Sequence, residues 1–249
     1  MTLVDLGLPV APAARPAVLD AHPEELRSIA RRAGRALEGA PARDVLRWLD
    51  DLTEGSWAVA SSMADGVLAH VASTVRPGVD VLFLDTGYHF AETLGTRDAV
   101  DVTTAVTVVD VRANRTVAEQ DAALGPRTHA HHPDLCCWLR KVRPLDRALS
   151  GYAGWASGLR RADGPSRART PVVDWDARRG RIKVNPLAAW SDDDVAGYIT
   201  EHGVVTNPLL DDGYDSIGCA PCTRRTAPGE GARAGRWAGL AKTECGIHA

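Results

Sequence analysis

Short apolar runs alternate along the chain with stretches of helical periodicity. Residues 23–37 place Leu26, Ile29, Ala30, Ala33 and Leu37 on one side at helical spacing, which predicts an amphipathic helix. A second helix fits 42–52, behind Pro41 as a helix-start residue. Residues 57–61 read as a short buried strand and 64–73 as the helix that follows. The apolar run 79–84 is a strand ending at Asp85-Thr86-Gly87; 90–97 is helical, and 104–109 is a β-branched strand. Residues 152–157 form a further strand leading into Gly158-Leu159-Arg160-Arg161. A helix within 190–202 opens at Ser191-Asp192-Asp193-Asp194, acidic where the helix dipole favours acid. From Asn207 the chain is rich in Gly and Pro with little periodicity, and no internal repeat is present.

Strands alternating with helices predict an α/β fold, a mostly parallel sheet with helices on both faces. Ligands of such sheets bind beyond the carboxyl ends of the strands, where Ser61-Ser62 and Asp85-Thr86-Gly87 fall. The expected division is a flexible segment 1–20, an α/β domain 21–228, and a C-terminal tail 229–249 made mobile by Gly229, Gly231, Gly235 and Gly239. With 249 residues, 45% hydrophobic and 24% charged, the chain can bury a core. Residues 1–19 lack a basic region followed by a long apolar run, and are broken by Pro9, Pro12 and Pro16, so no secretory signal is read. No run of about 18 apolar residues predicts a membrane span. The expected compartment is the cytoplasm, and no membrane partner is expected.

Charge is unevenly spread. Residues 1–139 carry 12 basic and 19 acidic side chains, whereas 140–181 carry 11 basic and 4 acidic. A cationic belt inside a chain of net charge −3 suits a small anionic ligand better than nucleic acid, although a solvated Arg-rich face would give the same count.

The five cysteines are too few for a disulfide scaffold. Cys219-Ala220-Pro221-Cys222 is a CxxC, used alike by zinc half-sites, redox motifs and clusters. Cys136 and Cys137 are adjacent, and adjacent side chains seldom ligate one zinc ion. They can reach separate irons of a cubane, so these four favour [4Fe–4S] over zinc, with two unrelated buried pairs as the bland alternative. Cys245, near the terminus, is the odd one; Lys242 and His248 favour its thiolate and Glu244 opposes it. His129, His131, His132 and Asp134 resemble a metal set in composition only, and none is expected to be a metal ligand.

Six stretches in order then show a resemblance: Leu84-Asp85-Thr86-Gly87-Tyr88-His89-Phe90-Ala91-Glu92-Thr93, Cys136-Cys137-Trp138-Leu139-Arg140-Lys141-Val142-Arg143-Pro144-Leu145, Trp155-Ala156-Ser157-Gly158-Leu159-Arg160-Arg161, Ile217-Gly218-Cys219-Ala220-Pro221-Cys222-Thr223, Gly235-Arg236-Trp237 and Glu244-Cys245-Gly246-Ile247-His248. The chain resembles, over roughly residues 55–249, the adenylylsulfate/phosphoadenylylsulfate reductase family of assimilatory sulfate reduction. The resemblance implies an adenine nucleotide α-hydrolase-like fold. It implies that Cys245 attacks the sulfur of an activated sulfate, expelling AMP and leaving an S-sulfonate that thioredoxin reduces to release sulfite. Members with both cysteine pairs carry one [4Fe–4S] cluster, here on Cys136, Cys137, Cys219 and Cys222, and take adenosine 5′-phosphosulfate (APS). Members without them take the 3′-phosphorylated form (PAPS).

The same resemblance makes Lys141, Arg160, Arg161, Arg167, Arg233 and Arg236 substrate-binding candidates, since cations must screen the anion from a thiolate. Ser61, Ser62 and Asp65 stand where the family has its phosphate turn, but Ser61-Ser62-Met63-Ala64-Asp65-Gly66 departs from the usual Gly-containing loop, and a plain helix cap is the alternative. Asp85, Thr86 and Gly87 approach the nucleotide from the next strand end, with Gly87 alternatively serving only a tight turn. His248 orients the tail or contacts the anion. Ala238-Gly239-Leu240 departs from the aromatic run common after Trp237. Two other readings stand: a PAPS reductase that keeps a metal site, and a zinc-stabilised, non-catalytic nucleotide-binding module. Oligomeric state is open, a homo-oligomer included.

Overall fold

The computed structural model describes Val18 and residues 21–248; the lead-in expected over 1–20 and residue 249 otherwise lie outside the described residues. The chain runs α1 (Pro23–Ala36), α2 (Ala42–Leu52), β1 (Trp57–Ser61), α3 (Val67–Val75), β2 (Val79–Asp85), α4 (Ala91–Thr103), β3 (Val106–Arg112), α5 (Val117–Leu124), α6 (Thr128–His131), α7 (Pro133–Cys137), a π-helical turn (Trp138–Val142), α8 (Arg143–Leu149), β4 (Gly154–Ser157), β5 (Val173–Asp176), β6 (Arg181–Val184) and α9 (Asp192–His202). The six strands lie in the order β3-β2-β1-β4-β6-β5. All neighbours are parallel except β5 against β6.

Side chains alternate across the sheet and build two cores. Trp57, Val59, Val79, Val81 and Phe83 face a large core with Leu26 of α1, Leu46 and Leu49 of α2, and Val67 of α3. Ala58, Leu82, Leu84 and Trp155 face the other way, against Leu145 and Leu149 of α8. Each such fully buried Leu contributes about 1.5–3 kcal/mol. Polar atoms in these layers are paired: Trp57 Nε1 donates to Asp50 Oδ1 at 2.7 Å and Trp155 Nε1 to Asp176 Oδ2 at 3.1 Å. The alternation that predicts helices on both faces is therefore realised.

The chain winds outward from β1 toward β3 on one side and from β4 toward β6 on the other. The β1–β4 boundary is thus the point where strand order reverses, and a crevice opens beyond Ser61 and Ser157. Several elements differ from the sequence expectation. The helix expected over 64–73 starts at Val67, because Ala64 and Asp65 are held in a turn, with Asn207 N–H bonded to Ala64 O at 3.0 Å. The helix expected over 90–97 continues to Thr103, and the strand over 104–109 is shifted to Val106–Arg112. α5, α6, α7, α8, β5 and β6 were not expected.

Candidate functional site

The helix carrying Cys136 and Cys137 continues into the π-helical turn, so Cys136, Cys137, Arg140 and Lys141 all line one cavity. Cys219 and Cys222 close it from the opposite loop, which is anchored to the strand ends: Ala220 N–H donates to Tyr88 O at 2.7 Å. Burial and the neighbouring sulfurs push Cys136 up to about 12. Burial likewise pushes Cys137 up to about 11, against the pull of Lys141, and raises Cys222. Three thiols driven toward protonation, Cys136, Cys137 and Cys222, are a poor resting arrangement, and a group that binds thiolates would relieve it. The wall fits such a group. Tyr88 Oη, Trp237 Nε1, Arg236 Nε and His129 Nδ1 all line the cavity and are buried without a protein partner, and no carboxylate lines it. Among the described residues no three His, Cys, Asp or Glu side chains are arranged as a single-ion site.

Thr86 belongs to this cavity's support. It is fully buried, its Oγ1 lies 3.3 Å from Cys219 Sγ, and its carbonyl accepts from Arg140 Nε. Asp85 Oδ1 accepts from Gly87 N–H at 3.0 Å and its Oδ2 from Arg112 Nε at 3.1 Å. Burial raises Asp85, but these bonds outweigh it and hold the carboxyl below its ordinary value. Gly87 has φ +71°, so its turn role is real.

The turn after β1 is a backbone device more than a serine one. Ser61 Oγ accepts from Met63 N–H at 3.2 Å, Ser62 is exposed, and Met63 is fully buried at φ +57°. Asp65 Oδ1 accepts from Val67 N–H at 2.9 Å, serving as a cap for α3. Burial raises the Asp65 pKa despite the charge of Arg160 nearby.

The cationic belt divides. Arg178 and Arg179 are paired with Asp146, and Arg161 forms two bonds to Glu38 at 2.6 and 2.9 Å and donates to Thr170 O. Arg161 is therefore tied to the end of α1 and is not brought to the site. Arg160 spans Asp163 and Asp192 at 3.0 and 2.8 Å. Arg167 binds Asp163 through Nη1 at 2.8 Å and Glu244 through Nε and Nη2 at 2.9 and 3.0 Å. Arg233 reaches the same Glu244 at 3.0 Å, and Arg236 donates to Ile217 O at 3.2 Å.

The tail is docked. Glu244 joins Arg167 and Arg233; Ile247 O accepts from Arg179 at 3.0 Å, and Ile247 packs on the second core. Cys245 lies between these anchors, close enough to Cys137, Lys141 and Arg233 for its charge to act on each. Burial would lower Lys141, but Cys219, Cys245 and Cys137 outweigh it and raise its pKa. Glu244, the carboxylate next to Cys245 in the chain, is paired with two guanidiniums, Arg167 and Arg233. Gly235 is not a free hinge: it is buried, and a Cβ there would lie 2.3 Å from Arg224 O.

His248 is stacked on Trp155, centroids 6.0 Å apart, and accepts from Lys183 Nζ through Nδ1 at 3.3 Å. Burial and the cations around it push its pKa well below the ordinary value, so it is neutral. Lys183 was not expected. Its one signal was rarity: the chain has 26 Arg and 3 Lys, and Lys141, Lys183 and Lys242 all lie against the cysteines or the tail.

Residues 56–225 match the family described as phosphoadenosine phosphosulfate reductase domain. The chain is 60% identical over 225 residues to adenosine 5′-phosphosulfate reductase of Streptomyces coelicolor, covering 90% of this chain and 95% of that protein. It is 55% identical over 224 residues to the protein of that name from Mycolicibacterium smegmatis, covering 90% and 95%. Among solved structures it is similar to phosphoadenylyl-sulfate (PAPS) reductase from Candida auris in a phosphate complex, with TM-score 0.67, 28% identity and coverage of 78% and 96%. FMN adenylyltransferase from Candida glabrata shares the fold alone, at TM-score 0.51, 11% identity and coverage of 74% and 64%. On the family match across most of its length and the relatives that span nearly all of it, the chain belongs to the phosphoadenosine phosphosulfate reductase family.

Proposed function

We propose that this chain reduces adenosine 5′-phosphosulfate to sulfite and AMP in sulfate assimilation, with thioredoxin as reductant, in the cytoplasm. The observation that carries the reading is the placement of Cys245: the one cysteine outside the four-thiol cavity lies near enough to Lys141 and Arg233 for its charge to act on both. The Cys245 thiolate attacks the substrate's sulfur; an S–S bond forms, the sulfur–oxygen bond to phosphate breaks, and the electron pair leaves on AMP. A thioredoxin thiolate then attacks Cys245 Sγ, sulfite leaves with the S–S electron pair, and the second thioredoxin thiol resolves the mixed disulfide. Sulfur gains two electrons and the dithiol loses two. Lys141, Arg167, Arg233 and Arg236 offset the negative charge that otherwise repels the thiolate. Neutral His248 donates a hydrogen bond without taking up a proton, and Asp85, Gly87 and the Ser61–Gly66 turn border the nucleotide side of the crevice.

Cys136, Cys137, Cys219 and Cys222 would hold one [4Fe–4S] cluster, supported by the four buried polar atoms that lack protein partners around the cavity. Held there, it would supply a fixed charge beside Lys141 and a link between α7 and the loop at 217–222. A single zinc ion is disfavoured because Cys136 and Cys137 are adjacent in the chain, a spacing that seldom serves one zinc. The tail 229–249 acts as the unit that delivers Cys245. In the Cys245→Ser variant, sulfite release is expected to vanish while iron and labile sulfide stay at wild-type levels. Incubating wild type with substrate but without thioredoxin should give a sulfonate adduct on Cys245 in mass spectra. Normal turnover by the variant would sink the assignment.

The second reading, a PAPS reductase, draws on the Candida auris structure. The APS reading has relatives twice as similar, and turnover with each purified substrate decides between them.

A further inference from the structure

We infer that Glu244 is a built-in competitor for the substrate's anionic group, occupying the arginine pair Arg167–Arg233 until a nucleotide displaces it. The inference rests on the proposed reading that these arginines receive the substrate's phosphosulfate. In the structure Glu244 already holds both of them, leaving Arg167 no free nitrogen and Arg233 only Nε and Nη1, the latter 3.5 Å from Ser216 Oγ. All three Arg167 side-chain nitrogens are bonded to carboxylates: Nη1 to Asp163 at 2.8 Å, Nε to Glu244 at 2.9 Å and Nη2 to Glu244 at 3.0 Å. Arg233 Nη2 is shared between Glu244 at 3.0 Å and Thr243 O at 2.8 Å. Ser166 Oγ adds a bond to Glu244 at 3.2 Å.

Charge gives the same answer. Arg160, Arg167 and Arg233 are matched by Asp163, Asp192 and Glu244, so an entering dianion meets ion pairs already made. It gains net attraction only when Glu244 leaves, because Asp163 is held by its own chain neighbours Arg160 and Arg167. The two arginines are not equal holders. Burial would lower Arg167, but Glu244 and Asp163 outweigh it and raise it. Burial and the like charge of Arg167 leave Arg233 lowered. The bidentate Arg167 contact is the stronger half of the latch, and Arg233 is the half that gives way first.

Glu244 is joined to Cys245 by one peptide bond, so its displacement moves the nucleophile as well. Occupation of the arginines by substrate and docking of the tail in this register exclude each other. Nucleotide therefore enters with the tail displaced, and Cys245 re-enters over the bound substrate in a second register. Glu244 is thus a positioning residue: it holds the thiol in a waiting position and sets an affinity threshold for entry.

The test uses the full chain purified anaerobically with its iron retained, and AMP as probe. Glu244→Gln should bind AMP at least 10-fold more tightly than wild type, with KM lowered, since a neutral amide surrenders the arginines readily. Glu244→Asp should stay within about threefold of wild type, and Asp44→Asn, a surface ion-pair control on α2, should be unchanged. A merely structural Glu244 would weaken AMP binding or leave it unaltered, and either result in Glu244→Gln overturns the inference. Tail docking is read separately, by release of the 243–249 peptide by trypsin. Lys242 is 9% exposed and paired with Asp134 when the tail is docked. Without ligand, Glu244→Gln should release the peptide faster than wild type; an equal rate also overturns the latch. If wild type binds no AMP, the nucleotide reading fails, and the peptide-release rates still judge the latch. Should Glu244→Gln fail to fold, sodium sulfate added to wild type must accelerate peptide release, and no acceleration overturns the competitor role.

Discussion

Lys183 is where a single side chain's environment makes a measurable demand. It is 6% exposed, its Nζ lies 4.9 Å from the centre of the Trp155 ring, and it donates to His248. Burial lowers its pKa to about 8 from 10.5, and Asp174 and Asp176 only partly offset this. The folded group therefore binds fewer protons than the unfolded one between those values. Stability should rise with pH across that window, and the full penalty is present below it. The shift corresponds to roughly 3 kcal/mol. Urea unfolding of wild type and Lys183→Met at pH 8 and pH 10 checks this: the wild type should gain on the variant as pH rises. A difference that stays flat would mean the ammonium is solvated. Gly218 is a second such position. A Cβ there would lie 2.2 Å from Arg236 Nη2, the movable end of a side chain. Gly218→Ala should keep the fold and push Arg236 aside, weakening AMP binding about 10-fold by loss of one charge-assisted contact. Motif residues of this sort were legible in the sequence: the two cysteine pairs singled out there line one cavity, and Cys245 is not among its lining residues. Lys183 and Glu244 were not, because their roles come from what the fold places opposite them.

Elements were legible where one pattern dominated. Leu26, Ala30 and Ala33 of α1, and Val45, Leu46 and Leu49 of α2, are buried as their spacing requires. α5 escaped notice because it buries only Gln120, yet Thr116 and Glu119 form a capping box whose T-x-x-E signature stands in the sequence. Thr116→Ala should cost about 1 kcal/mol, read as a shift in the urea midpoint. β5 and β6 have four residues each and were hidden for another reason: Val173-Asp174-Trp175-Asp176 lies at the edge of the sheet and carries an acid, Asp176, that accepts from both Arg179 and Trp155. The same sheet shows what a missing side chain can do. A Cβ on Gly154 of β4 would meet Leu49 Cδ1 at 2.7 Å and Ile182 O at 3.2 Å. Gly154→Ala overpacks α2 against β4 and should destabilise the protein by about 1–3 kcal/mol, seen in the same unfolding experiment. Unaltered stability would show that α2 can move away freely.

At the scale of the molecule, the cationic belt at 140–181 proved to be two things. Arg161, Arg178 and Arg179 bind acids of the sheet and its helices, while Arg160 and Arg167 share Asp163 and Arg167 reaches the tail through Glu244, and Lys141 lines the cysteine cavity; a count along the chain does not separate them, since partners such as Glu38 and Asp146 are set by the fold. The site is also built on a different footing from the sheet. Neither core contains a cysteine of the four-thiol cavity, whereas that cavity joins α7 to the loop at 217–222. The loop continues into Arg233, Arg236 and the tail, held by Trp237 N–H on Cys222 O at 2.9 Å and Arg224 N–H on Gly235 O at 2.9 Å. With the proposed cluster bound in that cavity, removing its iron should loosen one half of the molecule and leave the other intact. After anaerobic chelation, amide hydrogen exchange should accelerate in 128–142 and 213–248, while β1 and β2 keep their protection. AMP binding should fall at least 10-fold, because Arg233 and Arg236 ride on the loosened segment. Equal loss of protection across β1 and β2 would show that the cavity's occupant supports the whole fold, and unchanged exchange at 213–248 would show that the loop holds its place without it.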